Sequence, residues 1–133
     1  MNTHPVRRAL ISVFDKTGIA DFAKQISKAG FKIISTGGTF KYLESHLRGG
    51  MLIPIEEITG NPESFDGRMK TISFQIESGI LFDRTDKSHI KQATELHIPP
   101  IDIVVCNFYP FGETISKEGV SFDEAVEQID IGG

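Results

Sequence analysis

The sequence predicts an α/β protein with three layers, in which helices flank an open parallel sheet. The first observation is a set of short, nearly continuous apolar runs, which are typical of strands buried on both faces. The second is the amphipathic segments between these runs, because strands that alternate with helices form parallel sheets with right-handed crossovers. The third is the length of 133 residues, which fits a single domain over residues 1–133.

The first half of the chain supplies three predicted strands and two predicted helices. Apolar runs place the strands at residues 9–14, 31–35 and 51–53. Over residues 19–29, apolar side chains recur at the i, i+3, i+4 and i+7 spacing that lines one face of a helix. A second helix covers residues 40–47 and ends before a pair of glycines. This order is the alternation expected of a parallel sheet.

The second half of the chain is less regular. Residues 58–71 are rich in turn formers, and a long irregular segment in a compact domain is more often functional than idle. Residues 72–83 fit either a strand or an irregular segment. Residues 88–97 predict a helix, and residues 101–106 predict another strand buried on both faces. Capping-box spacing at the start of residues 121–129 predicts a last helix.

A turn rich in hydroxyls and glycines follows the second strand, with the order Ser35, Thr36, Gly37, Gly38, Thr39. Glycines let the backbone approach a ligand closely, and the helix start presents unpaired N–H groups with a partial positive charge. The turn is therefore a candidate phosphate site at the carboxyl end of a strand. The alternative is an ordinary helix start, with Thr39 as the N-cap and the glycines as a plain turn.

Composition argues against several classes of protein. The net charge of −4 disfavours nonspecific nucleic-acid binding as the main task. No stretch approaches the ~18 consecutive apolar residues of a membrane helix, and residues 1–8 lack the apolar core of a signal peptide. A single cysteine, Cys106, excludes an internal disulfide and fits a reducing compartment, so we expect a cytoplasmic protein with no membrane partner.

Two basic residues, Arg68 and Lys70, lie two apart in the irregular segment. In an extended backbone both side chains point to one side, and Met69 points to the other. Taken alone, solvated surface charges explain this pair better than a binding role does.

Neither Cys106 nor the histidines show the spacing of a metal or nucleophilic site. We interpret Cys106 as a buried residue at the end of a strand, because no histidine lies in its motif. We interpret the histidines as surface or packing residues: His4, His46, His89 and His97.

Five motifs occur in order along the chain, at residues 12–18, 35–39, 66–71, 107–111 and 129–133. They read SVFDKTG, STGGT, DGRMKT, NFYPF and IDIGG. In these motifs the chain resembles the N-terminal inosine monophosphate (IMP) cyclohydrolase domain of the bifunctional purine-biosynthesis enzymes that are also AICAR transformylases. The resemblance implies a methylglyoxal-synthase-like fold. It covers about the first two thirds of that domain, so we expect the domain to be incomplete at its C-terminal end.

The resemblance implies a reaction, a ligand and an assembly. The reaction is closure of the purine ring of 5-formamidoimidazole-4-carboxamide ribotide (FAICAR) to IMP, with loss of water. It needs no metal and no redox cofactor, and the ligand is a purine ribotide. The resemblance also makes a homodimer an expected assembly.

The resemblance assigns the site residues by motif. Residues for binding the substrate and its phosphate are Ser12, Lys16, Thr36, Gly37, Gly38, Thr39, Arg68, Thr71, Cys106 and Ile131. The catalytic group comprises Lys70, Asn107, Tyr109 and Asp130. The first three motifs would hold the phosphate and sugar, and the last two would contact the base. Either Lys70 or Asn107 would lie near the reacting carbonyl.

The chain departs from the resembled domain at three places. Residues 72–78 contain neither of the two histidines expected there, and Phe14 replaces a serine near the phosphate. A proton-transferring lysine is expected just beyond residue 133. Losing a general acid–base group typically lowers the reaction rate about 10²–10⁴-fold. These departures therefore leave open whether the chain converts its ligand.

Two rival functions therefore remain beside the cyclohydrolase. One is a non-catalytic sensor module that binds a purine nucleotide or another phosphorylated effector. The other is methylglyoxal synthase, which is weaker because the motifs contain no histidine for its chemistry.

Overall fold

Four parallel strands form one sheet in the computed structural model, which describes residues 5–131. The strands are β1 (Arg7–Ser12), β2 (Phe31–Ser35), β3 (Leu52–Pro54) and β4 (Ile103–Cys106). They lie in the order β3-β2-β1-β4, so β1 and β2 are central. In the register of the sheet, Ile11 lies opposite Ser35, and Ser12 lies opposite Cys106. The carboxyl ends of β1, β2 and β4 therefore meet at one edge of the sheet.

Seven helices accompany these strands within the described part of the chain. They are α1 (Ile19–Lys28), α2 (Gly37–Glu44), α3 (Glu56–Thr59), α4 (Phe74–Leu81), α5 (Lys87–Glu95), α6 (Phe111–Ile115) and α7 (Phe122–Glu127). Within residues 5–131, none of them has the length and apolar character needed to cross a bilayer.

Apolar side chains bury both faces of the sheet. On one face, Ile11 and Ile33 pack with buried residues of α1 and α2. Their neighbours Leu10 and Ile34 point to the opposite face and pack with Ile76 of α4. Successive strand residues thus serve two separate cores, since side chains alternate across a strand. The predicted three-layer architecture with a parallel sheet is confirmed.

The helix after β2 begins earlier than predicted. The sequence predicts a start at Phe40, whereas α2 begins at Gly37 with Thr36 as its N-cap residue. The alternative role of Thr39 as N-cap is therefore wrong. Glycine has a low helix propensity, so two adjacent glycines resemble a turn in the sequence. The first turn of a helix nevertheless accommodates them, because its N–H groups make no hydrogen bonds within the helix whichever residues stand there.

The segment after the basic pair is also helical, although the sequence predicts a strand or an irregular path over residues 72–83. Ser73 caps α4, because its Oγ accepts a hydrogen bond from the N–H of Ile76 at 3.1 Å. The sequence likewise gives no sign of α6. Strand β3 includes Pro54, one residue beyond its predicted end, and proline is tolerated there because β3 is an edge strand.

The last strand and helix are more exposed than their patterns predict. In β4, Val104 is 47% exposed and Cys106 is exposed, so the predicted burial of this strand and its cysteine is wrong. The reason is that β4 lies at the sheet edge with β1 as its one described neighbour. The capping box of α7 is confirmed at Ser121 and Glu124, yet Phe122 on the same helix is 82% exposed.

Candidate functional site

A pocket of about 140 Å³ lies at the edge where β1, β2 and β4 end. Its lining residues are Ser12, Val13, Phe14, Lys16, Thr36, Gly38, Thr39, Lys70, Thr71, Cys106, Asn107, Tyr109 and Asp130. Of the residues expected in the site, only Gly37, Arg68 and Ile131 do not line this pocket. The fold therefore brings residues from all five motifs to one place.

The start of α2 forms one wall of the pocket. The first intrahelical bond joins the N–H of Phe40 to the carbonyl of Thr36 at 2.8 Å. The N–H groups of Gly37, Gly38 and Thr39 precede it in the first turn, where a helix has no internal acceptor for them. This wall therefore carries partial positive charge that attracts an anion.

Two hydroxyls of the glycine-rich turn hold the wall in place rather than face a ligand. Thr39 Oγ1 donates to the carbonyl of Val13 at 3.0 Å and accepts from its N–H at 3.2 Å. Ser35 Oγ donates to the carbonyl of Ile11 at 2.8 Å. The remaining hydroxyls, of Ser12 and Thr36, lie 3.2 Å apart and share one hydrogen bond.

The loop between β1 and α1 folds over the pocket and carries Lys16. The Lys16 ammonium donates to the carbonyls of Val13 and Phe14, both at 3.2 Å. Next to it, hydrogen bonds from the hydroxyl and the N–H of Thr17 hold the pKa of Asp15 below its usual range. Hydrogen bonds within the loop therefore hold its shape, and the loop brings the Lys16 ammonium to the pocket.

Asn107 fixes the same loop from the end of β4. Its Oδ1 accepts from the N–H of Phe14 at 2.7 Å and from the N–H of Asp15 at 3.1 Å. Its Nδ2 donates to the carbonyl of Asp15 at 2.8 Å. The amide thus uses both of its ends on backbone groups, which indicates a structural role beside the predicted catalytic one.

Lys70 and Tyr109 form a bonded pair inside the pocket. Lys70 Nζ donates to Tyr109 Oη at 2.7 Å, and the ammonium also lies 5.3 Å from the centre of the phenol ring. Phe14 meets the same ring edge to face, with centroids 5.9 Å apart. A hydroxyl that accepts from an ammonium remains free to donate its own proton to a ligand.

A tight turn positions the basic pair. An antiparallel bridge joins Ser64 to Met69, and between them Phe65, Asp66 and Gly67 adopt positive φ. A second pocket of about 110 Å³ adjoins the first and shares Lys70, Tyr109 and Asp130 with it. Arg68 and Ile131 line this second pocket.

Arg68 is engaged by acidic side chains. It is paired with Glu127 of α7, and its Nη1 lies 3.9 Å from Asp66 Oδ2. The structure thus separates the two basic residues, since Lys70 faces both pockets and Arg68 lines only the second.

Sequence reasoning did not find Glu63. A Cβ on Gly37 would lie 2.8 Å from Glu63 Oε2, and a Cβ on Gly67 would lie 2.9 Å from Oε1. In this position the carboxylate lies close against two glycines of positive φ, one at the start of α2 and one in the tight turn. An exposed acid after a proline carries no pattern that could have indicated this contact.

No metal site is found within residues 5–131, where no group of three or more His, Cys, Asp or Glu side chains is close enough together. His46 bonds to the carbonyl of Tyr42 at the end of α2, and His89 Nδ1 accepts from the N–H of Asp83. His46, His89 and His97 do not line the pocket. His4 and the last two residues of the fifth motif, Gly132 and Gly133, lie outside the described residues.

Comparison with known proteins gives consistent relatives. The model of the MGS-like domain family matches residues 18–133. The bifunctional purine biosynthesis protein PurH of Cutibacterium acnes is 50% identical over 129 residues, which cover 97% of this chain and 24% of that protein. PurH of Bacillus subtilis is 51% identical over 128 residues, covering 96% of this chain and 25% of the relative.

A solved structure supports the same fold. The structure titled "Crystal structure of ForH" superposes with a TM-score of 0.81 and 29% identity, covering 98% of this chain and 63% of that chain. The chain spans about a quarter of the length of the PurH relatives, at their N-terminal end. The chain therefore belongs to the MGS-like domain family, as a close relative of the N-terminal part of PurH.

Proposed function

We propose that this chain carries a site of the IMP cyclohydrolase type, which binds FAICAR or IMP and closes the purine ring with loss of water. The observation that carries the proposal is that the Lys70–Tyr109 pair and the N-terminal end of α2 line one pocket together. Relatives named for purine biosynthesis support it.

The phosphate is assigned to the wall formed by α2. The N–H groups of Gly38 and Thr39 and the ammonium of Lys16 supply donors and positive charge there. Because the hydroxyl of Thr39 is committed to β1, its backbone rather than its side chain meets the phosphate. Thr71 is buried and lines the same pocket.

The reacting end of the ligand is assigned to Lys70, Tyr109 and Asp130. The carboxamide nitrogen forms a bond to the formyl carbon, and the C=O electron pair moves onto oxygen. The Tyr109 hydroxyl, itself hydrogen-bonded by Lys70, is placed to donate to that developing oxyanion. In this proposal Asp130, which lines the same pocket, takes the proton that the nitrogen loses. The former formyl oxygen then leaves as water, carrying the proton taken from the carboxamide nitrogen and the proton lost by the formamide nitrogen, and the C=N bond that forms completes the aromatic ring.

The position of one of the two missing histidines has a structural role in this chain. Where the resembled domain would have the first of them, Ser73 serves as the N-cap of α4. The proposed chemistry therefore relies on the Lys70–Tyr109 pair and Asp130 without an imidazole.

A nucleotide-sensing module remains the second candidate. It is favoured by the number of site residues that already have partners: Arg68 with Glu127, Asn107 with the loop after β1, and Thr39 with Val13. Such a site would bind a ribotide without converting it. Methylglyoxal synthase is disfavoured because no described histidine lines the pocket.

A homodimer and a cytoplasmic location are proposed on the same relationship, with a purine ribotide as ligand and neither nucleic acid nor membrane as partner. Size-exclusion chromatography with light scattering tests the assembly. A monomer at tens of micromolar protein would contradict the dimer.

Calorimetric titration with IMP, followed by an assay of FAICAR cyclisation on the same samples, tests the function. We expect IMP binding by the parent chain and loss of at least tenfold in affinity in Lys70→Ala, because a charged hydrogen bond is worth about 1.5–3 kcal/mol. Lys41→Ala, which removes an exposed lysine of α2, is the matched control and should bind as the parent does.

The outcomes separate the two candidates. Binding with turnover supports the cyclohydrolase, and binding without turnover supports the sensor. If the parent does not bind IMP, or if Lys70→Ala binds as tightly as the parent, the assignment of the pocket is wrong.

A further inference from the structure

We propose that Phe14 is a positioning residue that holds the Tyr109 hydroxyl at the Lys70 ammonium. The sequence gives Phe14 no role in the site, yet its side chain lines the pocket. The contact itself is a property of the fold, whereas its effect on ligand affinity rests on the proposed function. Three linked contacts support this role.

The first contact is between the two rings. Their centroids lie 5.9 Å apart and their planes meet at 72°, which is the edge-to-face arrangement. Aromatic pairs prefer this geometry because the positive edge of one ring meets the negative face of the other. The attraction depends on angle as well as distance, so Phe14 restrains the tilt of the Tyr109 ring. An aliphatic side chain of similar size would give no such restraint.

The second contact fixes Phe14 itself. Its N–H donates to Asn107 Oδ1 at 2.7 Å, and its carbonyl accepts from Lys16 Nζ at 3.2 Å. Both polar groups of its backbone are therefore bonded to site residues. Phe14 is 52% exposed and therefore does not belong to the core. The side-chain contact that connects it to the site is the one with the Tyr109 ring.

The third contact is the hydrogen bond between Lys70 and Tyr109. Lys70 and Tyr109 both lie outside regular helices and strands, and one hydrogen bond of 2.7 Å joins their side chains. Ordering a lysine side chain costs free energy of the same order as a hydrogen bond to a charged group contributes, so much of what the bond contributes is offset. The Tyr109 ring therefore needs a second restraint to keep its hydroxyl in place, and Phe14 supplies it.

Nuclear magnetic resonance tests the placement without any ligand. The chain has two tyrosines and no tryptophan, so Tyr42→Phe leaves Tyr109 as the sole tyrosine. In that background, Phe14→Leu should shift the Tyr109 ring protons and at least halve the nuclear Overhauser effect between them and the Lys70 methylenes. The matched control is Phe122→Leu, which removes an exposed ring of α7 and should change neither signal. An unchanged Overhauser effect in Phe14→Leu overturns the proposal.

Calorimetry with IMP tests the consequence. Phe14→Leu should weaken IMP affinity roughly 2- to 10-fold, which corresponds to the free energy of an aromatic pair. Phe14→Tyr keeps an aromatic ring at this position and should bind IMP as tightly as the parent does. If Phe14 acts through the Tyr109 hydroxyl, Phe14→Leu should lower IMP affinity less than twofold in a Tyr109→Phe background, because that hydroxyl is already absent. An equal cost in both backgrounds overturns the proposal. Should the parent not bind IMP, the proposed function fails, and the resonance measurement alone decides the role of Phe14.

Discussion

Thr39 shows how one side chain in the site serves the fold first. Its hydroxyl is buried and joins α2 to the end of β1 through two hydrogen bonds with Val13. The anion-attracting wall therefore depends on a side chain that needs no contact with the ligand. Asn107 acts in the same way on the loop that carries Lys16.

Replacing Thr39 by valine removes this hydroxyl while keeping the shape of the side chain. The N–H and carbonyl of Val13 lose a buried partner, so we expect a loss of about 1–3 kcal/mol in the free energy of unfolding. Urea unfolding at pH 7 measures it. Thr94→Val, which removes an exposed hydroxyl bond within α5, should change stability by less than about 0.5 kcal/mol. Equal losses in the two variants would contradict the role given to Thr39.

Asp102 joins three elements at the opposite end of the sheet. Burial raises the pKa of Asp102, but hydrogen bonds from the Arg8 N–H and the Arg84 guanidinium outweigh it, so the pKa is lowered overall. Arg84 also donates to the carbonyl of Ile101 at 2.6 Å. The carboxylate thus connects β1, the segment before β4 and the turn before α5.

The lowered pKa of Asp102 predicts how stability changes with pH. A carboxyl group that is more acidic in the folded state contributes stability above its unfolded pKa of about 3.9 and loses it as the pH falls through the folded value. Asp102→Asn should therefore destabilise the protein at pH 7, and the difference should shrink below about pH 4. Urea unfolding across this range measures it, with exposed Asp21→Asn as the control. A difference independent of pH would rule out the charge as its cause.

Helix α4 packs against the chain before β4 through a glycine. A Cβ on Gly79 would lie 2.4 Å from the carbonyl oxygen of Pro99, and the N–H of Ile101 donates to the Gly79 carbonyl at 3.0 Å. Backbone meets backbone here, so no flexible side chain can move aside. The sequence marks Gly79 only as an interruption in an ambiguous segment.

Gly79→Ala should destabilise the protein by about 1–3 kcal/mol, because the added methyl group overpacks the interface. Gly112→Ala in α6 is the matched control, since, apart from its chain neighbours and its own helix backbone, no atom of residues 5–131 lies within 4 Å of the added Cβ. That change should be neutral or stabilising by up to about 1 kcal/mol. Thermal unfolding of both variants compares them, and a similar loss in each would contradict the packing explanation.

For the whole molecule, the parallel sheet and its first helices were predictable because nearly continuous apolar runs and regular spacing determine them. The start of α2 was not, since two glycines carry no hydrophobic pattern. Nor was α4, because residues 72–83 fit a strand or an irregular segment and show no clear helical spacing. The exposure of β4 depends on strand order, which local pattern does not contain.

The pocket was predictable in part. The resemblance in the five motifs named most of its lining residues. It did not reveal that Glu63 packs on two glycines, that Arg68 pairs with Glu127, or that Phe14 meets Tyr109. Apart from the approach of Glu63 to Gly67, these contacts join segments far apart in the chain, so only the folded geometry reveals them.

A crystal structure of the chain with IMP would show whether one pocket holds both ends of a purine ribotide. We predict the phosphate within about 3.5 Å of the N–H groups of Gly38 and Thr39, and the base within the same distance of Tyr109 Oη. A nucleotide bound elsewhere, or bound here with its phosphate at Lys70 and its base at α2, would contradict the proposed site.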